Sequence, residues 1–181
     1  MTTSDFTTTI LVDQTPKEAF NAINNVRGWW SEEIEGRTDR LNDEFKYHFE
    51  DIHRCQIKLI DVIADKKIVW LVMDNYFKPG IFDDASHPLR SNDRLTKDQS
   101  EWTGTKISFE ISEKDNKTQI CFTHLGLVPE YECFDVCSNG WSHYIQQSLL
   151  SLITTGEGQP NSTGSPMTTD EEKFHSAVGK A

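Results

Sequence analysis

Short stretches of alternating apolar and polar residues recur along the chain, and a period of two is typical of strands with one buried face. The clearest stretch is Phe45, Tyr47 and Phe49, which alternate with charged residues and a histidine. Short polar turns join the last two pairs of such stretches, so each of these pairs is expected to form an antiparallel hairpin. Further strands are predicted at 7–12, 55–64, 68–73, 105–112 and 118–125.

Two stretches carry signals for helices. The first begins at Thr15, where a capping threonine, Pro16 and Glu18 satisfy amides that a helix start leaves unpaired. Phe20 and Ile23 of this helix are expected to face the core. The second is a long helix whose apolar stripe recurs at spacings of three and four, namely Trp141, Tyr144, Ile145, Leu149 and Leu152.

The order of these elements predicts an α+β fold, in which an antiparallel sheet carries helices on one face. A sheet with aromatic residues on its inner face must cover them, and the long C-terminal helix is the only candidate. The separation of sheet and helix is expected to leave a cavity. We predict one domain over residues 1–156, with a long loop at 78–100, followed by a flexible tail at 157–181 that is rich in Gly, Pro, Ser and Thr.

The net charge of −11, from 29 acidic and 18 basic residues, limits the expected partners. Binding to nucleic acid or to anionic lipid needs a cationic face, so no nucleic acid is expected. Residues 1–12 lack the pattern of an export signal, and no stretch approaches the roughly 20 apolar residues of a membrane span. We therefore expect a cytoplasmic protein without a membrane span, whose four cysteines, Cys55, Cys121, Cys133 and Cys137, stay reduced.

Three segments carry a resemblance to a known family: 22–30 with Arg27-Gly28-Trp29-Trp30, 101–111 with Glu101-Trp102-Thr103-Gly104, and 122–129 with Thr123-His124-Leu125-Gly126. Together with 130–133 and the helix 140–153, they resemble bacterial proteins of the START-like (SRPBCC) superfamily. The similar branch is the one related to the C-terminal domain of the Hsp90 ATPase activator. The resemblance covers residues 6–155 and implies a helix-grip fold, in which a curved antiparallel β-sheet wraps around a long C-terminal α-helix.

The chain departs from the family that it resembles at 78–100, because the similar chains have a shorter connection at this place. An insertion at this place is expected either to cover the mouth of the cavity or to extend an exposed hairpin.

The resemblance implies a cavity, and the inner strand faces and the helix stripe supply its candidate walls. Ligand sites are commonly concave and mostly apolar, with few polar groups. The alternative is that the same side chains fill a packed core. The candidate ligand-binding residues are Trp30, Phe45, Tyr47, Trp70, Phe109, His124, Trp141, Tyr144 and Ile145.

His124 is the candidate polar group in this set. It lies at the end of an apolar strand, where an imidazole could hydrogen-bond a ligand or relay a proton near neutral pH. The alternative is a structural histidine whose two nitrogens are both satisfied. A second histidine, His143, precedes Tyr144 on the long helix and is expected to be solvated because it points away from the Trp141 stripe.

The sequence also contains residues suited to two other kinds of site. Cys133 and Cys137, with the two histidines, suggest zinc, but their spacing matches no common zinc site, so no metal and no cofactor is expected. The acidic residues Glu130, Glu132 and Asp74 fall near the expected cavity mouth and could support acid–base chemistry, although surface charge is the simpler interpretation.

Three functions remain open at this point. The first is the binding of a small apolar or aromatic molecule between the sheet and the C-terminal helix. The second is a chaperone cofactor of the Hsp90 type, with a role in the stress response, that acts through surface contacts. The third is an enzyme that uses His124 or a carboxylate in the cavity.

Overall fold

Residues 5–78, 102–130 and 133–178 are described by the structure, a computed structural model. The elements in chain order are β1 Phe6–Val12, α1 Pro16–Asn24, α2 Val26–Trp29, β2 Glu35–Gly36, β3 Glu44–Phe49, β4 His53–Ile63, β5 Lys67–Phe77, β6 Lys106–Lys114, β7 Lys117–Leu125, α3 Phe134–His143, a π-helical segment Tyr144–Leu149, α4 Leu150–Thr155 and α5 Thr169–Val178.

The seven strands form one antiparallel sheet in the order β1-β7-β6-β5-β4-β3-β2. The predicted hairpins are confirmed, because β4 pairs with β5 and β6 pairs with β7. Two irregularities in the β4 register, at Gln56/Ile57 and at Leu59/Asp61, bend the middle of the sheet. The sheet is curved as a result, and the helix from α3 to α4 lies across its inner face, so the predicted α+β helix-grip arrangement is confirmed.

The start of α1 confirms the local signals in the sequence. The Thr15 hydroxyl accepts from the Glu18 amide, and the Glu18 carboxylate accepts from the Thr15 amide in return. Ile23 is buried and Phe20 is half-buried against the core. This helix leads directly into α2, which brings Trp29 and Trp30 over the inner face of the sheet.

An aromatic cluster forms the centre of the core. Trp29 stacks on Trp70 with ring centroids 6.2 Å apart. Phe45 and Phe109 meet the Trp70 ring edge-on at 5.2 and 4.9 Å. The four cysteines form no disulfide, and three of them, Cys55, Cys133 and Cys137, are buried in the core.

The prediction of a flexible tail at 157–181 is wrong for the described residues 157–178, which we call the C-terminal segment. Asn161 is completely buried and exchanges backbone hydrogen bonds with Trp30 and Glu32. Gly158 makes close contact with α2: a Cβ there would lie 2.1 Å from the Gly28 carbonyl oxygen. The segment then forms α5. The predicted loop 78–100 falls, except for Lys78, outside the described residues.

Candidate functional site

A cleft with aromatic walls lies between strands β3 to β5, the long helix and α5. It encloses about 80 Å³. We call it the aromatic cleft, and its lining includes Trp30, Tyr47, Phe77, Trp102, Trp141 and Phe174, with His53, Tyr144 and Glu171 among its polar residues. The C-terminal segment supplies one wall, through Thr168, Asp170, Glu171 and Phe174.

The structure divides the nine predicted wall residues into two groups. Trp30, Tyr47, Trp141 and Tyr144 line the aromatic cleft. The other five lie behind the walls in the core, because Trp29 and Trp30 of the α2 region cover the middle of the sheet. They are Phe45, Trp70, Phe109, His124 and Ile145.

Stacked rings hold the cleft walls in place. The Trp30 ring lies 4.1 Å from the Tyr47 ring, nearly parallel to it, and 4.9 Å from the Trp141 ring. The Trp102 ring stacks on the Trp141 ring, with centroids 5.6 Å apart. Aromatic pairs at these separations contribute about 0.5–1.5 kcal/mol each beyond the burial of area, so they stabilise the arrangement of the walls.

Four side chains form a polar cluster at one end of the cleft: Tyr47, Tyr144, Asn161 and Glu171. The Asn161 amide nitrogen donates to the Tyr144 hydroxyl at 2.7 Å and to the Tyr47 hydroxyl at 3.2 Å. The Tyr144 hydroxyl donates to the Glu171 carboxylate at 2.6 Å. This cluster ties the C-terminal segment to the sheet and to the long helix.

Burial sets the protonation of this cluster. It raises the pKa of the Glu171 carboxyl, although hydrogen bonds from Tyr144 and from the Met167 amide oppose the shift. Burial and the nearby Glu171 charge raise the pKa of Tyr47 well above its ordinary value, and burial does the same for Tyr144. Both phenols therefore keep their protons and act as hydrogen-bond donors.

The π-helical segment Tyr144–Leu149 joins α3 to α4 at the level of the cleft. Such segments are rare and are found often at functional sites. Here Tyr144 faces the polar cluster. Four residues later Ser148 is buried, and its hydroxyl donates to the Trp29 carbonyl at 2.7 Å and accepts from the Gln159 amide at 2.7 Å. The same turn of helix therefore fixes both α2 and the C-terminal segment.

His124 is placed as a structural residue. Its Nδ1 accepts a hydrogen bond from the Trp141 indole at 3.1 Å, so the ring proton is on Nε2 and is donated to the Thr105 hydroxyl at 2.8 Å. Burial, with a smaller contribution from His53, lowers the pKa of His124 to about 3. Both nitrogens are engaged in this way, which leaves no lone pair for a substrate and argues against a proton relay through His124.

His53 is a cleft residue that the sequence reasoning missed. Its Nε2 lies 2.8 Å from Asn75 Oδ1 and carries the ring proton, because an amide oxygen only accepts. Burial lowers the pKa of His53 to about 4, so the ring is neutral at pH 7. The position could have been found, since His53 shares the period-two register of Cys55 and Ile57, which face the core.

The sequence reasoning also missed Trp102, Phe174, Asn161 and Glu171. Trp102 belongs to the segment 101–111 that carries the family resemblance, but it precedes the alternating residues of that segment, which were the signal for inward-facing side chains. The other three lie in the C-terminal segment, which was expected to be flexible because it is rich in Gly, Pro, Ser and Thr.

The other chemical hypotheses gain little from the structure. Glu130 and Asp74 are exposed, and Glu132 lies outside the described residues. Cys133 and Cys137 are buried, and the Cys137 side of α3 lines the cleft. Within 5–78, 102–130 and 133–178, no group of three or more His, Cys, Asp or Glu side chains is arranged to hold a metal ion. None of the helices in these ranges is long and apolar enough to cross a membrane.

Comparison with solved structures identifies the fold. The solution structure of the Aha1 dimer from Colwellia psychrerythraea matches with a TM-score of 0.62 and 19% identity, over 86% of this chain and 99% of that one. CalU16 from Micromonospora echinospora matches with a TM-score of 0.53 and 10% identity, over 96% of this chain and 85% of that one. DynU16, a protein of the dynemicin biosynthetic locus, matches with a TM-score of 0.57 and 11% identity, over 84% of this chain and 48% of that one.

These likenesses confirm the predicted helix-grip fold. At such low identity they bear on the fold alone. Neither a protein-family model nor a curated protein matches the sequence.

Proposed function

We propose that the aromatic cleft binds a small apolar or aromatic molecule between the sheet and the C-terminal helix. The observation that carries this proposal is a cleft with stacked aromatic walls and one polar end, the arrangement that small-molecule sites commonly have. The aromatic faces would supply contact area, and the polar cluster would orient the ligand. The cytoplasmic location expected from the sequence is part of the same proposal.

The size of the cleft limits the ligand. Its 80 Å³ is well below the roughly 300–1,000 Å³ of pockets for drug-sized ligands. With α5 in its present position, the cleft therefore suits a molecule with one ring and few substituents. A larger ligand would have to displace the C-terminal segment from the wall that it forms.

An NMR titration with α-methylstyrene, a flat and uncharged molecule with one ring, tests the proposal. The chain has five tryptophans, so the indole N–H signals form a small built-in set of reporters. Those of Trp30, Trp102 and Trp141 lie at the cleft, whereas Trp29 and Trp70 lie in the core.

The expected result is saturable movement of the three cleft signals, with much smaller movement of the two core signals. Proportional movement of all five signals without saturation, or no movement at all, would contradict the proposal.

A second candidate is a chaperone cofactor that acts through its surface and belongs to a stress response. The likeness in fold to the Aha1 dimer favours it, as does an acidic surface that could complement a basic partner. The test is the ATP turnover of a purified Hsp90 with and without this protein. Stimulated turnover at stoichiometric amounts would support this candidate, and unchanged turnover without co-elution would contradict it.

A further inference from the structure

Trp102 carries a buried hydrogen-bond donor that finds no acceptor in the described part of the chain. Its side chain is only 3% exposed and lines the aromatic cleft, and its indole nitrogen has no hydrogen-bond partner there. Buried donors are almost always paired, so an unpaired donor that lines a cleft indicates a place where a ligand could supply the acceptor. By contrast, the indole of Trp141 donates to His124, and that of Trp29 donates to the Ile23 carbonyl at 3.0 Å.

Tyr47 presents a second such proton to the same cleft. Its hydroxyl accepts from Asn161 at 3.2 Å, and burial keeps the phenol protonated. Within the described ranges this hydroxyl donates to no residue, whereas the Tyr144 hydroxyl already donates to Glu171. The ring of His53 lies between the two donors, 5.3 Å from the Tyr47 ring and 4.7 Å from the Trp102 ring.

Both free donors therefore line one cleft with aromatic walls, and neither is charged. The complementary ligand atom is a neutral acceptor oxygen, such as a carbonyl, attached to a flat ring. A ligand that offered only a hydrogen-bond donor at this place would leave the Trp102 N–H and the Tyr47 O–H without an acceptor, which is unfavourable.

We propose that the aromatic cleft selects aromatic molecules that carry a carbonyl oxygen, which accepts the N–H of Trp102 or the O–H of Tyr47. This inference rests on the proposed function and adds the chemical class of the ligand. It does not involve Glu171, which accepts from the Tyr144 hydroxyl. The Asn161 Oδ1 atom is also buried and unpaired in the described ranges, but Asn161 is not among the residues that line the cleft.

The test compares two ligands that have nearly the same shape. Acetophenone differs from α-methylstyrene in having a carbonyl oxygen where the hydrocarbon has a methylene carbon. One hydrogen bond to a buried donor corresponds to a preference of about three- to tenfold. Dissociation constants for both ligands are measured by the same NMR titration in the wild-type protein and in three variants.

The variants are Trp102→Phe, Tyr47→Phe and the control Trp70→Phe. Trp70 also has an unpaired indole N–H, but it lies in the core rather than at the cleft. We expect the wild type and Trp70→Phe to prefer the ketone. At least one of Trp102→Phe and Tyr47→Phe should bind both ligands equally well. The remaining indole signals report whether each variant is folded.

Equal affinity of the wild type for both ligands would overturn the inference and leave the proposed function standing. A preference for the ketone that survives in both Trp102→Phe and Tyr47→Phe would also overturn it. If neither ligand binds the wild type, the proposed function fails and this inference fails with it.

Discussion

Gly140 offers a way to fill the aromatic cleft while keeping the fold. It is a helical residue of α3 that lines the cleft, and a Cβ added there would meet no atom within 4 Å. We therefore expect Gly140→Leu to place a branched apolar side chain in the space that the ligand would use. Binding and stability should then change in opposite directions.

The gain in stability has two parts. Glycine inside a helix is about 1 kcal/mol less favourable than alanine, and the substitution removes this penalty. Filling the whole cleft of 80 Å³ would contribute at most about 2 kcal/mol, at roughly 24 cal/mol per Å³ of cavity. A leucine side chain fills only part of it, so the free energy of unfolding should rise by about 1–2 kcal/mol in total. The affinity for α-methylstyrene should fall by about tenfold or more.

Urea denaturation measures the stability, and the NMR titration measures binding in the same samples. Asn139→Leu is the matched control, because Asn139 is an exposed neighbour on the same helix. We expect it to bind like the wild type and to change stability by no more than about 0.5 kcal/mol. A Gly140→Leu protein that is destabilised, or that binds α-methylstyrene as well as the wild type, would refute the reasoning.

Three further predictions concern the C-terminal segment and the buried histidines. Asn161→Ala removes the amide that donates to two buried hydroxyls, but it also removes the unpaired Asn161 Oδ1. Urea denaturation should therefore show that the free energy of unfolding falls by about 1–2 kcal/mol. Gly158→Ala places a Cβ against the Gly28 carbonyl and should cost about 1–3 kcal/mol, whereas Gly140→Ala should be stabilising. The pKa values of His53 and His124 are lowered to about 4 and about 3 in the folded protein. Below pH 6.5 these two histidines therefore bind protons in the unfolded chain but stay neutral in the folded chain. Stability should therefore fall as the pH drops from 6.5 towards 4, by up to about 1.4 kcal/mol per pH unit for each histidine.

Each of these has its own contrary outcome. Asn21→Ala, on the exposed face of α1, is the control for Asn161→Ala, and equal stabilities of the two would contradict the buried role of Asn161. Equal effects of alanine at Gly158 and Gly140 would contradict the close contact with α2. The pH series is best measured in Glu171→Gln, since the raised pKa of Glu171 acts in the opposite direction, and a flat profile would contradict neutral, buried histidines.

The sheet and the first helix could be predicted because their signals are local. Phe45, Tyr47 and Phe49 alternate within a single strand, and the capping box at Thr15 spans only four residues. The C-terminal segment could not, because its order depends on distant partners. The backbone of Gly28 lies so close to residue 158 that only glycine fits there without a shift. Asn161 is held by hydrogen bonds with Trp30, Tyr47 and Tyr144.

The candidate site was predicted in part for a related reason. Strand alternation tells which side chains face inward, but not which of them another layer covers. Phe45 and Trp70 face inward as expected, yet Trp29 and Trp30 cover Trp70, and the cleft opens farther along the sheet. Trp102 and Glu171 come from segments with no regular pattern of their own, and only the folded arrangement brings them to the cleft.

The most direct test of ligand binding is native mass spectrometry of the purified wild-type protein and of Gly140→Leu, each before and after extraction with organic solvent. The account predicts that the wild type carries one small molecule, or takes up added α-methylstyrene in a one-to-one ratio. It also predicts that extraction removes this mass and that Gly140→Leu lacks it. A bare mass for both proteins even with added ligand, or the same adduct on both, would contradict a ligand site in the aromatic cleft.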